Sequence, residues 1–385
     1  MNEAIPLSLY IHYPWCVQKC PYCDFNSHAA GEAIPEAAYI DALLADLEQQ
    51  LAEVWGRRID TVFIGGGTPS LISPDGLDRL LGALRARLSI RPDAEITMEA
   101  NPGTVEQGRF AAFREAGINR LSLGVQSFDD TRLAALGRIH DGGEARRAIE
   151  AAQRGGFDNI NIDLMFGLPG QGPDEAAQDL REGIASGVEH LSWYQLTIEP
   201  NTAFAHAPPL LPDEDRLWAI QCEGEQLLGA AGFAQYEVSG WARTGRQCRH
   251  NRNYWQFGDY LGIGAGAHGK LSHPASGEIW RHWKQRHPQR YLASAHGAEV
   301  VAGRRLLDPA DRLLEFMMNV LRLHEGFDRA LFAARTGLPW TAAEGGVDEA
   351  LGLGLLAWCD DTLRPTERGR LHLNRLLQCF MAGAD

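Results

Sequence analysis

Between residues 7 and 231 the chain alternates short apolar runs with helical patterns, and this alternation limits its fold more than any other feature. The apolar runs fall at 7–11, 60–64, 95–100, 120–125, 159–164 and 190–197. Helical periodicity fills the gaps, over about 35–55, 74–88, 104–115, 129–136 with 142–154, and 174–186, and it returns at about 212–231. In the first of these helices Ile40, Leu43, Leu44, Leu47 and Leu51 share one face. Strands joined by helical crossovers pair in parallel and with a right-handed connection, so the chain forms either an open doubly wound sheet or a barrel.

The placement of unusual residues decides between the two. Strand 1 ends at cysteines, strand 2 at Gly65-Gly66-Gly67-Thr68-Pro69, strand 3 at Glu99-Ala100-Asn101-Pro102, strand 4 at Gln126-Ser127, strand 5 at Asp163 and strand 6 near Gln195. In barrels of parallel strands the carboxyl rim carries the site, whereas an open sheet concentrates it at one switch point. The expectation is therefore an α/β fold, an incomplete (β/α)6 TIM-like barrel over 1–240. The proline-broken stretch 200–212 is expected to act as a lid over that rim.

At 385 residues the chain has room for a second, smaller domain. In 241–305 helical periodicity is lost and Trp, Tyr, Arg, His and Gly dominate. This segment holds Cys248-Arg249-His250-Asn251-Arg252-Asn253-Tyr254-Trp255 and a Gly262–Gly269 run, read as a tight structural turn rather than a phosphate loop. Over 306–385 the pattern is a helix with Leu313, Phe316, Met317, Val320 and Leu321 on one face, helices near 328–336 and 347–354, strands at 355–359 and 363–365, and a last helix opening at Thr366. That order resembles a winged helix, taken as a structural or partner-binding module.

Charge and cysteine usage restrict the function. The 36 basic and 50 acidic residues give −14, a field that repels phosphate backbones, so nucleic acid is not an expected partner. No apolar run reaches the length of a membrane span, and residues 1–15 lack the basic start and apolar core of a signal peptide; the expected location is the cytoplasm. The seven cysteines suit a reducing compartment, since Cys222, Cys248, Cys359 and Cys379 follow no motif spacing.

The other three cysteines do follow one. Cys16, Cys20 and Cys23 have the spacing C-x3-C-x2-C, and soft thiolates so close together select zinc, copper(I) or an iron–sulfur cluster. A zinc knuckle would borrow His12 or His28 as its fourth ligand, and a disulfide with one free thiol fits the spacing as well. A cubane on three cysteines instead leaves one iron open for a ligand that reacts. The three glycines that follow one βα unit later let a backbone approach a ligand closely, yet no Walker or G-x-G-x-x-G pattern accompanies them.

C-x3-C-x2-C together with Gly65-Gly66-Gly67-Thr68-Pro69 resembles the radical S-adenosylmethionine (radical SAM) superfamily. The resemblance implies a [4Fe-4S] cluster on Cys16, Cys20 and Cys23, with S-adenosylmethionine on the open iron and reductive cleavage to a 5′-deoxyadenosyl radical. Leu9–Cys16, Gly124-Val125-Gln126-Ser127-Phe128, Leu136-Gly137-Arg138 and Ile162–Gly170 are similar to the oxygen-independent coproporphyrinogen III oxidase branch, over nearly the whole chain. It implies contacts to S-adenosylmethionine from Tyr10, Gly66 and Glu99, and a second or shared cofactor site at Tyr22, Gly67, Thr68, Gln126, Arg138 and Asp163.

Two departures redirect the expected function. The oxidases carry a further cysteine two residues after the third, where this chain has Phe25, and a long N-terminal extension, where this chain reaches its cysteines at residue 16. Cys23-Asp24-Phe25-Asn26-Ser27 and the H-N-x-x-Y-W motif at His250, Asn251, Tyr254 and Trp255 instead resemble the haem-chaperone (HemW-type) members of the branch. That implies haem as ligand, with His250 as iron ligand and His268, His206 and Cys248 as alternatives. It also implies haem-acceptor proteins, respiratory haemoproteins among them, as partners, and admits a cluster-dependent homodimer. The competing expectation is an enzyme that oxidises coproporphyrinogen III or modifies haem with the same cofactor.

Overall fold

The computed structural model describes residues 5–31, 33–103, 108–273 and 275–381. The six apolar runs become six strands: β1 Leu7–Tyr13, β2 Arg58–Gly66, β3 Ser89–Ala100, β4 Arg120–Gln126, β5 Ile160–Phe166 and β6 His190–Gln195. Each lies parallel to the next in chain order. Leu9, Val62, Leu121 and Ile162 are buried, and so are their strand neighbours Ser8, Thr61, Ser122 and Asn161, which point the other way, so both faces of the sheet are covered, as parallel strands under crossover helices require.

The crossover helices lie at Glu36–Gln50, Pro74–Arg87, Asp130–Ala135, Gly142–Arg154, Pro173–Ala185 and Glu214–Ala230. Several begin where the sequence offers a cap: the Ser73, Asp129, Asp141 and Asp213 side chains each accept a backbone N–H of the first turn. The helix expected over 104–115 begins outside the described residues and is seen as Phe110–Ala116.

The sheet extends further than the periodicity indicates. On one edge β7 Ala234–Gln235 and β8 Gly240–Ala242 run antiparallel beyond β6. On the other, β9 Asp259–Ile263 is a seventh parallel strand, paired with β1 on the side away from β2. It leads into an antiparallel meander, β10 His268–His273, β11 Glu278–Lys284 and β12 Val301–Leu306. β1 thus lies between β9 and β2, and the twelve-stranded order ends at β12 and β7, so β1 and β6 do not pair and the barrel stays open.

Glycines hide β9 from sequence patterns. A Cβ on Gly262 would fall 2.0 Å from the His268 carbonyl oxygen, so this strand needs glycine because another backbone presses on it. The Gly262–Gly269 run is its turn into β10, with Gly264 at φ +104° and Gly266 at φ +76°. The Gly264 N–H donates to Tyr291 Oη (3.0 Å) and the Ala265 N–H to Tyr39 Oη (2.9 Å), which uses these amides internally.

Two buried ion pairs fasten the added strands to the core. Lys284 on β11 reaches Asp46 on the first crossover helix at 2.5 Å, and Lys270 on β10 reaches Asp259 on β9 at 2.8 Å. Tyr291 also donates to Asp46, and Arg57 and Ser272 to Asp259. With these further donors the charges are satisfied; deleting one partner of such a pair costs about 3–5 kcal/mol.

The C-terminal unit has helices Pro309–Val320, Arg329–Thr336 and Thr341–Gly352, and a wing of Leu356–Cys359 against Thr362–Pro365. Phe327–Asp328 adds a third strand, and helices Glu367–Leu371 and Leu373–Gln378 close the unit. This is the winged-helix-like arrangement, with Phe316, Phe327, Phe332 and Trp340 meeting edge to face or tilted in its core. The third helix starts at Thr341, ahead of its expected start, because Ala342-Ala343-Glu344-Gly345-Gly346 offers little apolar pattern. No helix among the described residues is long and apolar enough to cross a membrane.

Candidate functional site

Beyond Tyr13 the chain turns into the loop that carries Cys16, Cys20 and Cys23, all free and half-buried. A short parallel ladder, Trp15–Cys16 against His28–Ala29, closes this loop, and the Cys23 N–H donates to the Cys20 carbonyl at 3.1 Å. Of the two histidines offered for a zinc knuckle, His12 has both ring nitrogens engaged and His28 has one. His12 Nε2 donates to the Asn26 carbonyl at 2.8 Å, and His28 Nε2 meets Asn26 Oδ1 at 3.3 Å. Among the described residues no three His, Cys, Asp or Glu side chains converge as a single ion demands. Three unpaired thiols on one half-open loop fit a cluster, whose thiolates go to separate irons.

The glycines at the tip of β2 are explained by this loop. A Cβ on Gly67 would lie 2.5 Å from the Trp15 carbonyl oxygen, and one on Gly66, at φ +120°, would lie 2.7 Å from the His12 ring. Their approach lets the Gly67 N–H donate to Tyr13 O and the Thr68 N–H to Trp15 O, both at 2.7 Å. The backbone therefore comes close to the cysteine loop itself.

A chain of polar groups links two of the cysteines. Arg138 Nη1 donates to Cys20 Sγ at 3.5 Å, while its Nη2 donates to Asn101 Oδ1 and the Gly124 carbonyl, both at 2.7 Å. Asn101 Nδ2 donates to Thr68 Oγ1 at 2.9 Å, and Thr68 hydrogen-bonds Cys16, whose thiol burial pushes up. Tyr22 packs on Phe204, and the Phe204 N–H donates to the Pro21 carbonyl, so the start of the 200–212 stretch rests on the cysteine loop.

A cavity of about 520 Å³ opens beside this loop at the carboxyl ends of the strands. One wall is Tyr10, His12, Gly66 and Glu99. Tyr10 donates to His12 Nδ1 at 2.8 Å, which fixes the His12 tautomer with its proton on Nε2. Burial holds His12 at about 4, neutral throughout the physiological range. Glu99 Oε2 accepts the Gly66 N–H at 2.9 Å, and Oε1 has no partner among the described residues. Burial, with Asp163 adding to it, pushes the Glu99 carboxyl up to about 7. Such a group accepts an ammonium or a ribose hydroxyl.

The opposite wall comes from the helix Arg249–Trp255 (Tyr254), β9 (Tyr260) and the meander with its flanking turns (Gly266, His268, Trp283 and Arg286), with Phe25 at the mouth. Of the residues expected to meet S-adenosylmethionine, Tyr10, Gly66 and Glu99 therefore line the cavity together. Tyr22, Gly67, Thr68, Gln126, Arg138 and Asp163 lie outside its lining. Asp163 accepts from Asn161 Nδ2 at 2.8 Å, and Gln126, at φ +68°, accepts from Tyr194 Oη at 2.8 Å. Burial pushes the Asp163 carboxyl up.

The H-N-x-x-Y-W motif is divided by its helix, Arg249–Trp255. The structure places His250, the expected iron ligand, in the core. Its side chain is buried at 1% exposure, and Phe63 stacks on its ring at 5.0 Å. Thr61 donates to Ser8 Oγ, so Thr61 Oγ1 accepts the His250 Nδ1–H at 2.7 Å; Nε2 is left to accept from Tyr254 Oη at 3.0 Å. Both ring nitrogens are thus engaged, and the lone pair an iron would need points at Tyr254. Burial lowers the His250 pKa to about 3, as in a core imidazole.

Only Tyr254 of the motif faces the cavity. Asn251 lies half-buried on the same helix, with its backbone N–H donating to Cys248 Sγ at 3.5 Å. Trp255 faces a separate space of about 210 Å³, and Arg322 lies over its ring at 4.3 Å. Cys248 is fully buried against Glu95, and His206 is exposed on the short helix Ala203–His206. Sequence reasoning missed Asn26, Asn101, Tyr260, Trp283 and Arg286 as site residues, and offered His12 only as a zinc ligand. His12 sits two positions after Tyr10 on one strand, Asn101 at a strand end and Asn26 in the cysteine loop, which are readable signals; Tyr260, Trp283 and Arg286 join the site only through β9–β11.

Residues 10–182 match the Radical SAM superfamily, and residues 307–372 match the HemN C-terminal domain. The heme chaperone HemW of Escherichia coli (strain K12) is 52% identical over 382 residues, which cover 99% of this chain and 100% of that protein. The heme chaperone HemW of Haemophilus influenzae is 49% identical over 99% of both chains. Among solved structures, coproporphyrinogen III oxidase (HemN) from Escherichia coli, described as a radical SAM enzyme, superposes with a TM-score of 0.83 over 98% of this chain and 90% of that one. At 23% identity that likeness concerns the fold.

Proposed function

The chain belongs to the HemW family of heme chaperones within the radical SAM superfamily, and we propose that it binds haem and delivers it to acceptor proteins, respiratory haemoproteins among them. The observation that carries this reading is the cavity with two unlike walls. Tyr10, Gly66 and Glu99 present polar groups on one side, while Tyr254, Tyr260 and Trp283 with Arg286 offer flat aromatic surface and a cation on the other. At the mouth stands Phe25, 60% exposed, at the position where the oxidase branch has cysteine.

In this reading 1–240 carries the cofactors, 241–305 supplies the haem wall and 306–385 is a docking or structural module. Cys16, Cys20 and Cys23 hold a [4Fe-4S] cluster, and Glu99 with Tyr10 and the Gly66 backbone holds S-adenosylmethionine. When bound, the two supply one-electron reductive cleavage of a sulfonium. The chain's own contribution is to fix polarity: His12, held neutral between Tyr10 and the Asn26 carbonyl, sets the direction in which the Tyr10 hydroxyl donates. Tyr22, Gly67, Thr68, Gln126, Arg138 and Asp163 support the cysteine loop and the strand ends beside it. The protein acts in the cytoplasm, and cluster loading can favour a homodimer.

Anaerobic, cluster-loaded protein titrated with haem should show a Soret shift that saturates near one haem per chain. The same sample, given S-adenosylmethionine, reductant and coproporphyrinogen III, should yield no vinyl-bearing product. A missing Soret shift sinks the chaperone reading, and a vinyl product would replace it with the oxidase.

Glu99 gives a second, pH-resolved test. Its folded pKa is raised from 4.5 to about 7, so the stability of its neutral form is present below 4.5 and is lost as pH rises through 7. Glu99→Gln keeps an acceptor for the Gly66 N–H but cannot ionise. The cofactor-free variant should match wild type near pH 5 and exceed it at pH 8 by on the order of 2 kcal/mol. It should also bind S-adenosylmethionine more weakly at pH 8. Thermal denaturation across this range checks the first point and calorimetric titration the second; a pH-independent stability difference would remove Glu99 from this role.

A further inference from the structure

We infer that His268, and not His250, ligates the haem iron, and that haem lies against the meander wall of the cavity. The inference rests on the chaperone reading and assigns the residue that performs it. An iron ligand needs a ring nitrogen whose lone pair is free and faces open space. Three histidines come near the cavity, and two fail this requirement. His12 donates to Asn26 and accepts from Tyr10, and His250 is screened behind Tyr254 with both nitrogens engaged. His268 lines the cavity, is exposed, and makes no hydrogen bond through either ring nitrogen among the described residues.

The surroundings of His268 suit a flat, dianionic macrocycle. Trp283 lies directly opposite it in the β10–β11 pairing, with the two rings 25° from parallel at 6.2 Å. Phe25 provides a second aromatic face at the mouth. Among the described residues the Arg286 guanidinium uses only its Nε, which donates to Asn26 Oδ1 at 3.3 Å, so its two Nη groups remain for a carboxylate such as a haem propionate. Burial, aided by the nearby Arg281 charge, lowers the His268 pKa, which keeps the imidazole neutral when a metal arrives. The His250–Tyr254 hydrogen bond then serves to hold Tyr254 in that wall.

The experiment is a haem titration of the full chain, anaerobic and cluster-loaded, followed by absorption and by electron paramagnetic resonance of the ferric haem, to which an oxidised cluster contributes nothing. His268→Ala should bind haem about tenfold or more weakly and lose the signature of histidine ligation. His268→Gly should regain that signature on addition of free imidazole. Because His268 is exposed, both variants should retain the wild-type melting temperature and cluster content. Wild-type affinity and ligation in His268→Ala, or ligation lost only in His250→Ala, overturns the assignment and leaves the chaperone reading standing. Absence of haem binding by wild type overturns both.

Discussion

A chain in which Cys20 is replaced by alanine is expected to leave anaerobic reconstitution with iron and sulfide near background, where wild type takes up about four of each. The cluster loop offers three soft donors, one for each of three irons, so the loop holds no spare thiolate to replace a lost one. Cys20 also receives Arg138, whose other contacts run to Asn101 and Gly124 and from there to Thr68. Removing the sulfur leaves that guanidinium nitrogen without its partner beside the cysteines. S-adenosylmethionine affinity should fall with the cluster. The fold should persist: Cys20 is half-buried on a loop, so the cofactor-free chain should lose no more than about 1 kcal/mol. Iron and sulfide analysis with thermal denaturation checks both halves. Full cluster content in the variant would show that the C-x3-C-x2-C loop does not hold it.

Gly67→Ala is expected to be nearly as damaging without touching a ligand. The added Cβ would lie 2.5 Å from the Trp15 carbonyl oxygen, 2.8 Å from its carbon and 2.9 Å from the Pro14 carbonyl carbon. All three are backbone atoms, so no side chain can rotate away. The tip of β2 must then separate from the cysteine loop, breaking or stretching the 2.7 Å bonds from Gly67 N to Tyr13 O and from Thr68 N to Trp15 O. Overpacking of this kind costs on the order of 1–3 kcal/mol, and here it displaces Cys16 as well. A lowered melting temperature and substoichiometric iron are the expected readouts. Gly82→Ala, on an exposed face of the helix Pro74–Arg87 with nothing within 4 Å, is the control and should stabilise by up to about 1 kcal/mol. Equal behaviour of the two variants would contradict this role for Gly67.

The six-strand core was legible in the sequence because its signals are local. Apolar runs, helical periodicity and caps such as Asp141 with Glu144 each depend on a few neighbouring residues. So do the C-x3-C-x2-C spacing and the terminal glycines, and the parallel order follows from crossover length alone. The burial and hydrogen-bond partners of His250 were not legible. A histidine beside Asn, Tyr and Trp reads as a ligand until Thr61 and Ser8, nearly two hundred residues or more away in sequence, are seen to engage its network.

By itself, then, the sequence determined the parallel core and the cysteine loop, and its motifs pointed to the family. Tertiary structure alone decided which side chains share the cavity. β9 joins β1 through a register that no local pattern encodes, since Gly262 and Gly264 read as turn residues until the backbone pressed against Gly262 is seen. That pairing carries His268, Trp283 and Arg286 to face Tyr10, Gly66 and Glu99. The physical reason is that burial and hydrogen-bond occupancy belong to contacts between distant segments. Whether an imidazole is a core residue or a ligand depends on which lone pairs those contacts leave free.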